Sequence, residues 1–180
     1  MNVCLVAVCH NTYQQTLKYL FSLDEAVRHT GISLDVFLVD NSIEVEIDMV
    51  NQIKILAVDF RIHYVASENL GYFPSVIAAI KSQEIELASY NFLMISNVDL
   101  AVSKDFFSEI KMLPMDETTG AYAPSIVSNK MNHDQNPKIT VRPSRFKLKL
   151  NRFLFRSRVT YGVLTRVNKL RLKLREISKV

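Results

Sequence analysis

The chain has 180 residues, 48% hydrophobic and 22% charged, a balance that suits one globular domain with a buried core and excludes a disordered chain. No run approaches the ~20 consecutive apolar residues of a membrane helix, and Val3 to Val8 lacks both the length and the basic flank of a secretory signal. The formal net charge of +4 hides a division: residues 1–143 hold 10 Lys/Arg against 17 Asp/Glu, whereas residues 144–180 hold 12 Lys/Arg against the single acid Glu176. The expected organisation is therefore a body, 1–143, and a basic tail, 144–180, that meets something anionic: a membrane surface, a nucleic acid or another subunit.

Asn2 to Cys9 reads as a strand apolar on both faces, as a central parallel strand must be. Cys4 and Cys9 should point to opposite faces of it, so they are read as reduced packing residues of a cytoplasmic protein. His10-Asn11 follow, and Thr12 with Gln15 has the spacing of a capping box. Leu17, Leu20, Phe21 and Val27 then form the inward face of a helix that Gly31 stops. Leu34 to Val39 is a second buried strand, ending at Asp40-Asn41-Ser42, with an acidic segment, Glu44 to Asp48, behind it.

Either Ile53 to Val58 or Ile62 to Val65 supplies a third strand, followed by Ser67-Glu68-Asn69-Leu70-Gly71-Tyr72. Pro74 then stands near the first turn of a helix running through Val76, Ile77 and Ile80. Tyr90 to Ile95 is a fourth strand that stops at the polar residues Ser96, Asn97 and Asp99. Ser103 can cap a helix with Phe106, Phe107, Ile110 and Leu113 on its buried side, closed by Pro114. Strands alternating with helices predict an α/β fold with a mostly parallel sheet flanked by helices.

Beyond Thr118 the pattern weakens. Ala121 to Val127 suits one more strand, and Ser128 to Pro143 reads as a loop. In the tail, Val163, Val167, Leu170, Leu174 and Ile177 recur at helical spacing among cations, which predicts a basic amphipathic helix. The tail's beginning, where Phe146, Leu148 and Leu150 alternate with Arg145, Lys147 and Lys149, suits a strand equally well. Aromatic residues stand among these cations, but no nucleic-acid module is recognisable, and no nucleic-acid partner is expected.

Four polar clusters thus follow four candidate strands: His10-Asn11, Asp40-Asn41, Glu68-Asn69 with Gly71, and Asn97-Val98-Asp99. A parallel sheet gathers such clusters on its carboxyl edge, where open α/β sheets bind ligands. Asp40 can accept a hydrogen bond from a base or ribose, the Asn69 and Gly71 segment can approach a ligand closely, and Asp99 can hold a metal that neutralises a diphosphate. Asn97 and Asp99, two residues apart, face one ion if the segment stays extended.

In these clusters the chain resembles the nucleotide-binding half of family-2 glycosyltransferases, particularly rhamnosyltransferase-like members. Val8-Cys9-His10-Asn11 is similar to their V-T-Y-N, Val39-Asp40-Asn41-Ser42 to V-D-N-x-S, Glu68-Asn69-Leu70-Gly71-Tyr72 to E-N-x-G-[FY], and Ser96-Asn97-Val98-Asp99 to the N-x-D form of D-x-D. The resemblance covers roughly residues 1–127. It implies a GT-A (Rossmann-like) fold, a UDP- or dTDP-sugar donor, a saccharide or lipid-linked acceptor, a Mg or Mn ion, inversion at the anomeric carbon and work in cell-surface polysaccharide synthesis. It implies further that His10, Asn11 and Asp40 line the base and ribose site, that Asn69, Gly71 and Asn97 complete the nucleotide-sugar pocket, and that Asp99 holds the metal. Two departures stand out: Asn97 replaces the first acid of D-x-D, and nothing matches the family's acceptor half with its general base. The alternative is accordingly a split or non-catalytic subunit that binds nucleotide or the inner face of the plasma membrane and relies on a partner.

Overall fold

A computed structural model describes residues 1–114, 119–128, 134, 144–155, 157 and 162. The chain divides into two compact units, Met1–Met115 and Asp116–Val180. The first is an α/β layer structure with the order β1 (Asn2–Cys9), α1 (Tyr13–Val27), β2 (Ser33–Asp40), α2 (Ile47–Lys54), β3 (Arg61–Ala66), α3 (Tyr72–Ser82), β4 (Phe92–Asn97) and α4 (Phe106–Lys111). The four strands form one all-parallel sheet in the order β3-β2-β1-β4. The parallel α/β sheet flanked by helices that the alternating pattern predicts is thus present, in the Rossmann-like arrangement that the resemblance implies.

Connectivity dictates the layering. The steps β1 to β2 to β3 move in one direction, and right-handed crossovers then place both connecting helices on the same face. The chain reverses to reach β4, which sends α3 to the opposite face. Accordingly Val3, Leu5, Ala7 and Cys9 of β1 pack with residues of α1, α2 and α4, including Leu20, Leu23, Ile53 and Phe107. Cys4, Val6 and Val8 pack with Val76 and Ala79 of α3. The two cysteines are free, buried and on opposite faces, as the alternation requires. Each fully buried aliphatic of β1 contributes about 1.5–3 kcal/mol of burial, so this strand is the centre of the core.

Some local expectations are corrected. The residues Ile53 and Lys54 belong to α2, so the third strand is Arg61–Ala66 and not Ile53 to Val58. Val50 and Ile53, one helical turn apart, are the buried residues of α2, with Asp48 in its first turn and Lys54 in its last, where each suits the helix dipole. Helix α1 starts after Thr12 as expected, but Thr12 makes no side-chain cap. Its hydroxyl instead lies 3.7 Å from Cys9 Sγ. The helix ends at Val27, before Gly31. Phe21 and Ile77, expected to face inward, are half exposed, and α1 buries Tyr13, Tyr19 and Leu23 instead. The residue that precedes α4 is Asp105 rather than Ser103, and it makes no side-chain cap.

A buried acid within β2 was not anticipated. Asp35, 3% exposed, receives Arg61 Nε at 2.5 Å and Nη2 at 2.8 Å and the Tyr90 hydroxyl at 2.9 Å. It ties β2 to the start of β3 and to the segment before β4, at the end of the sheet opposite the polar clusters.

In the second unit, no strand forms over Ala121–Val127 among the described residues. Val127 makes one antiparallel bridge with Asp134, whose carboxylate accepts from Ser125 Oγ at 2.7 Å and Ile126 N at 2.9 Å. The start of the basic tail is helical, α5 (Arg145–Leu154), which decides between the strand and helix readings of that stretch. The expected stripe from Val163 to Ile177 lies outside the described residues, as do most of Ser128 to Pro143. The described helices include none long and apolar enough to cross a membrane.

Candidate functional site at the carboxyl edge of the sheet

Register places the strand ends side by side. Cys9 lies opposite Asp40, Asp40 opposite Ala66, and Val8 opposite Asn97. Neighbouring parallel strands are about 4.8 Å apart, so all four polar clusters leave the sheet on one edge. The chain reverses direction across the sheet between β1 and β4, which is the switch point where open α/β sheets receive ligands.

The turns after β1 and β2 are joined directly. His10 Nδ1 donates to Asn41 O at 2.9 Å, and Asn11 N donates to Ser42 Oγ at 2.7 Å. Asn11 adopts φ of 51°, left-handed backbone that asparagine tolerates better than most side chains. Asn41 N returns a bond to Cys9 O at 3.0 Å. Its side chain, 4% exposed, reaches Ser75 Oγ of α3 at 3.5 Å, and its Oδ1 is buried with no hydrogen-bond partner among the described residues.

Asp40 is the hub of this corner. It is 3% exposed; Oδ2 accepts from the hydroxyls of Tyr13 at 2.8 Å and Tyr64 at 2.5 Å, and Oδ1 from Ser42 N at 3.0 Å. Burial alone raises a carboxyl pKa, but the hydrogen bonds from Ser42, Tyr64 and Tyr13 favour the anion more strongly, and Asp40 titrates below the ordinary carboxylate range. The effect on the tyrosines is opposite. Tyr64 is pushed up by burial and then by its bond to the Asp40 anion, and Tyr13 by burial foremost. A carboxylate offers about four acceptor positions, and Tyr13, Tyr64 and both the N–H and the side chain of Ser42 act on this one.

The third cluster forms the start of α3. Gly71 is the residue before the helix, with φ 88° and ψ 173°, a combination reserved almost entirely for glycine. Its N–H donates to Asn69 Oδ1 at 3.3 Å and its carbonyl accepts from Ser75 N at 3.1 Å. Asn69 and Gly71 are both exposed.

The fourth cluster is steered from α1. The Tyr19 side chain is buried and its hydroxyl lies 2.6 Å from Ser96 Oγ, which donates to Asn97 O at 2.6 Å. β4 ends at Asn97 and the chain bends at Val98-Asp99, so the pair is not held by continued extension. Val98 is 3% exposed and anchors the bend in the core, leaving Asn97 and Asp99 exposed on either side. Tyr72 at the start of α3 is raised by burial and then by the Asp99 charge.

The arrangement brings His10, Asn11 and Asp40 into one bonded corner, and the sheet register puts the strand end that precedes Asp99 on the same edge. Among the described residues, no group of three or more His, Cys, Asp or Glu is placed to hold a metal ion. The donors present are the exposed Asp99 carboxylate and the Asn97 amide. That set fits Mg or Mn in one mode, in which a single carboxylate is completed by substrate phosphates and water.

The roles of Tyr64 and Tyr19 were not read from the sequence. Both lie on helix or strand positions facing the core, and a tyrosine there needs a partner for its hydroxyl; that need is the only signal their positions carry. Tyr13 is 3% exposed, and its hydroxyl is bonded to Asp40.

No family model and no curated protein matches the chain. Solved structures of TarS from S. aureus are similar to it. One TarS structure is 16% identical over 62% of this chain and 19% of its own length, with a TM-score of 0.47. The structure of TarS residues 1–349 is 14% identical over 73% and 43%, with a TM-score of 0.48. The same fragment in complex with UDP-GlcNAc is 15% identical over 62% and 30%, with a TM-score of 0.46. The chain therefore spans less than half the length of these TarS chains.

Proposed function

We propose that the carboxyl edge of this sheet binds the nucleoside diphosphate of a UDP- or dTDP-sugar, and that the chain supplies the donor-binding part of an inverting, family-2-type glycosyltransferase of polysaccharide synthesis. One observation carries this reading: four polar clusters in the order of the family's motifs leave a parallel sheet on one edge at its switch point. The residue roles follow from chemistry. His10, Asn11 and Asp40 line the base and ribose, with Asp40 as the buried carboxylate that fixes the corner. The exposed Asn69 and Gly71 backbone lies against the nucleotide, and Asn97 with Asp99 faces the diphosphate. Asp99 would hold a Mg or Mn ion, whose chemistry there would be to neutralise charge on the diphosphate.

A second reading is favoured by the acids that follow Asp99. Among the described residues, Asp105 and Glu109 belong to the start and middle of α4, which packs on the sheet's face through Phe107. Asp134 is engaged by Ser125 and Ile126. An inverting transferase needs a base within hydrogen-bond reach of the acceptor hydroxyl. In this second reading a partner chain supplies it.

Titration calorimetry of UDP, dTDP and GDP, with and without Mn, on wild type and Asp99→Ala tests the donor site. The expected result is Mn-dependent binding of UDP or dTDP, absent in Asp99→Ala while thermal stability is unchanged, since Asp99 is exposed. Failure of all three nucleotides to bind sinks the proposal. Release of free nucleoside diphosphate by the chain alone, with acceptor present, would remove the need for a partner base.

A further inference from the structure

Helix α5 carries a surface that the sheet and its site do not explain. Phe146, Leu150, Phe153 and Leu154 recur at positions i, i+4, i+7 and i+8, which puts them on one face of a helix. Phe146 is 76% exposed, Phe153 64% and Leu150 43%, so three large apolar side chains of this stripe stand in water. The helix contains Arg145, Lys147, Lys149 and Arg152 and no acid. By helical spacing Arg145, Lys149 and Arg152 cluster beside the stripe, and all three are exposed.

A water-exposed apolar stripe beside a cluster of cations is a poor match for another protein's acidic face, which would leave the phenylalanines uncovered. A nucleic acid satisfies the charge and likewise leaves the stripe uncovered. A bilayer with anionic headgroups satisfies both: phosphates meet the cations while the aromatic and leucine side chains enter the headgroup and acyl boundary, to a depth of about 5–10 Å. We infer that α5 lies in the plane of an anionic lipid surface, with Phe146, Leu150 and Phe153 inserted and Arg145, Lys149 and Arg152 on the phosphates. The inference is independent of the nucleotide site. The sequence continues the same charge, since residues 144–180 hold 12 Lys/Arg and one acid.

The absence of tryptophan from the sequence makes a direct test available. Phe153→Trp replaces an exposed side chain and creates the only indole fluorophore. With vesicles of phosphatidylcholine mixed with phosphatidylglycerol, its emission shifts to the blue and brominated lipid tails quench it. Phosphatidylcholine alone gives neither effect. Wild-type chain floats with the anionic vesicles in a density gradient, which serves as the readout if the tryptophan variant fails to fold. Replacing Arg145, Lys149 and Arg152 together by Gln weakens partitioning roughly a hundredfold. Phe146→Ser with Phe153→Ser, at unchanged charge, also abolishes flotation. Three outcomes overturn the inference: no flotation with anionic vesicles; equal flotation of the Phe146→Ser/Phe153→Ser variant, which would mark a purely electrostatic polyanion site of the kind RNA would share; or a blue-shifted, concentration-dependent indole without lipid, which would mean the stripe is covered by protein.

Discussion

Replacing Asp40 by Ala tests whether the corner at the ends of β1, β2 and β3 is held by one buried carboxylate. The substitution removes the acceptor of the Tyr13 and Tyr64 hydroxyls and of Ser42 N. Tyr13 is 3% exposed, so its hydroxyl loses its acceptor without gaining water, at about 1–3 kcal/mol. Tyr64 is only half-buried and recovers part of its loss by hydration. Relief from burying the carboxylate offsets some of the remainder, leaving a net destabilisation of about 3 kcal/mol. For a chain of this size that lowers Tm by roughly 6–12 °C, readable by circular dichroism.

The pH dependence has a definite sign. The folded-state pKa of Asp40 is depressed, so its contribution is present above the unfolded carboxylate pKa and is lost as pH falls through the folded value. The gap between wild type and Asp40→Ala therefore narrows in acid. A double-mutant cycle isolates the cause: Tyr13→Phe, destabilising in wild type, costs less or becomes favourable in the Asp40→Ala background, because it removes the orphaned hydroxyl. A Tm change below about 2 °C for Asp40→Ala, or strict additivity with Tyr13→Phe, refutes the hub.

Gly71→Ala places a Cβ where nothing lies within 4 Å, so any penalty comes from φ 88° alone; about 1–3 kcal/mol is expected, and unchanged thermal unfolding would show that the turn relaxes freely. Tyr19 is pushed up to about 12, by burial first, against its bond to Ser96. Its contribution to stability is complete below the ordinary tyrosine pKa and is lost as pH rises through about 12, so denaturant titrations of Tyr19→Phe should fall less steeply with pH over that window. Asp35→Ala frees Arg61, whose side chain is 71% exposed and simply rehydrates, so the expected loss is about 1–2 kcal/mol rather than that of a fully buried pair. A loss above about 4 kcal/mol would mean the Asp35 cluster organises the sheet.

The sheet was legible because parallel strands buried on both faces leave apolar runs that little else produces. Asn2 to Cys9 and Leu34 to Val39 are such runs, and both fall within the observed strands. Legibility failed where a segment carried too few apolar residues to show a period. Val50 and Ile53 are the only buried residues of α2, and two positions cannot distinguish a helical turn from part of a strand. Phe21 and Ile77 misled for the converse reason: an apolar residue at helical spacing faces the core only if a layer covers that side, and half of each is open.

At the site the asymmetry is sharper. The four clusters could be placed on one edge from chain order alone, because every parallel strand presents its carboxyl end to the same side. What each side chain does there could not be read so easily, because its partners come from elsewhere in the chain. Asp40 is held by Tyr13 and Tyr64, residues 27 and 24 positions away, and Ser96 by Tyr19, 77 positions away. An acid at the end of a strand reads as an open acceptor for a ligand until those tyrosines and Ser42 are placed around it. Asp99 is the opposite case: exposed, with Val98 anchoring the bend beneath it. If the edge binds a nucleoside diphosphate, the division of labour follows from burial. Asp40 fixes the shape of the corner, while Asp99 meets the ligand's charge. Asp40→Asn should then alter both stability and nucleotide preference, whereas Asp99→Asn should alter metal-dependent affinity alone.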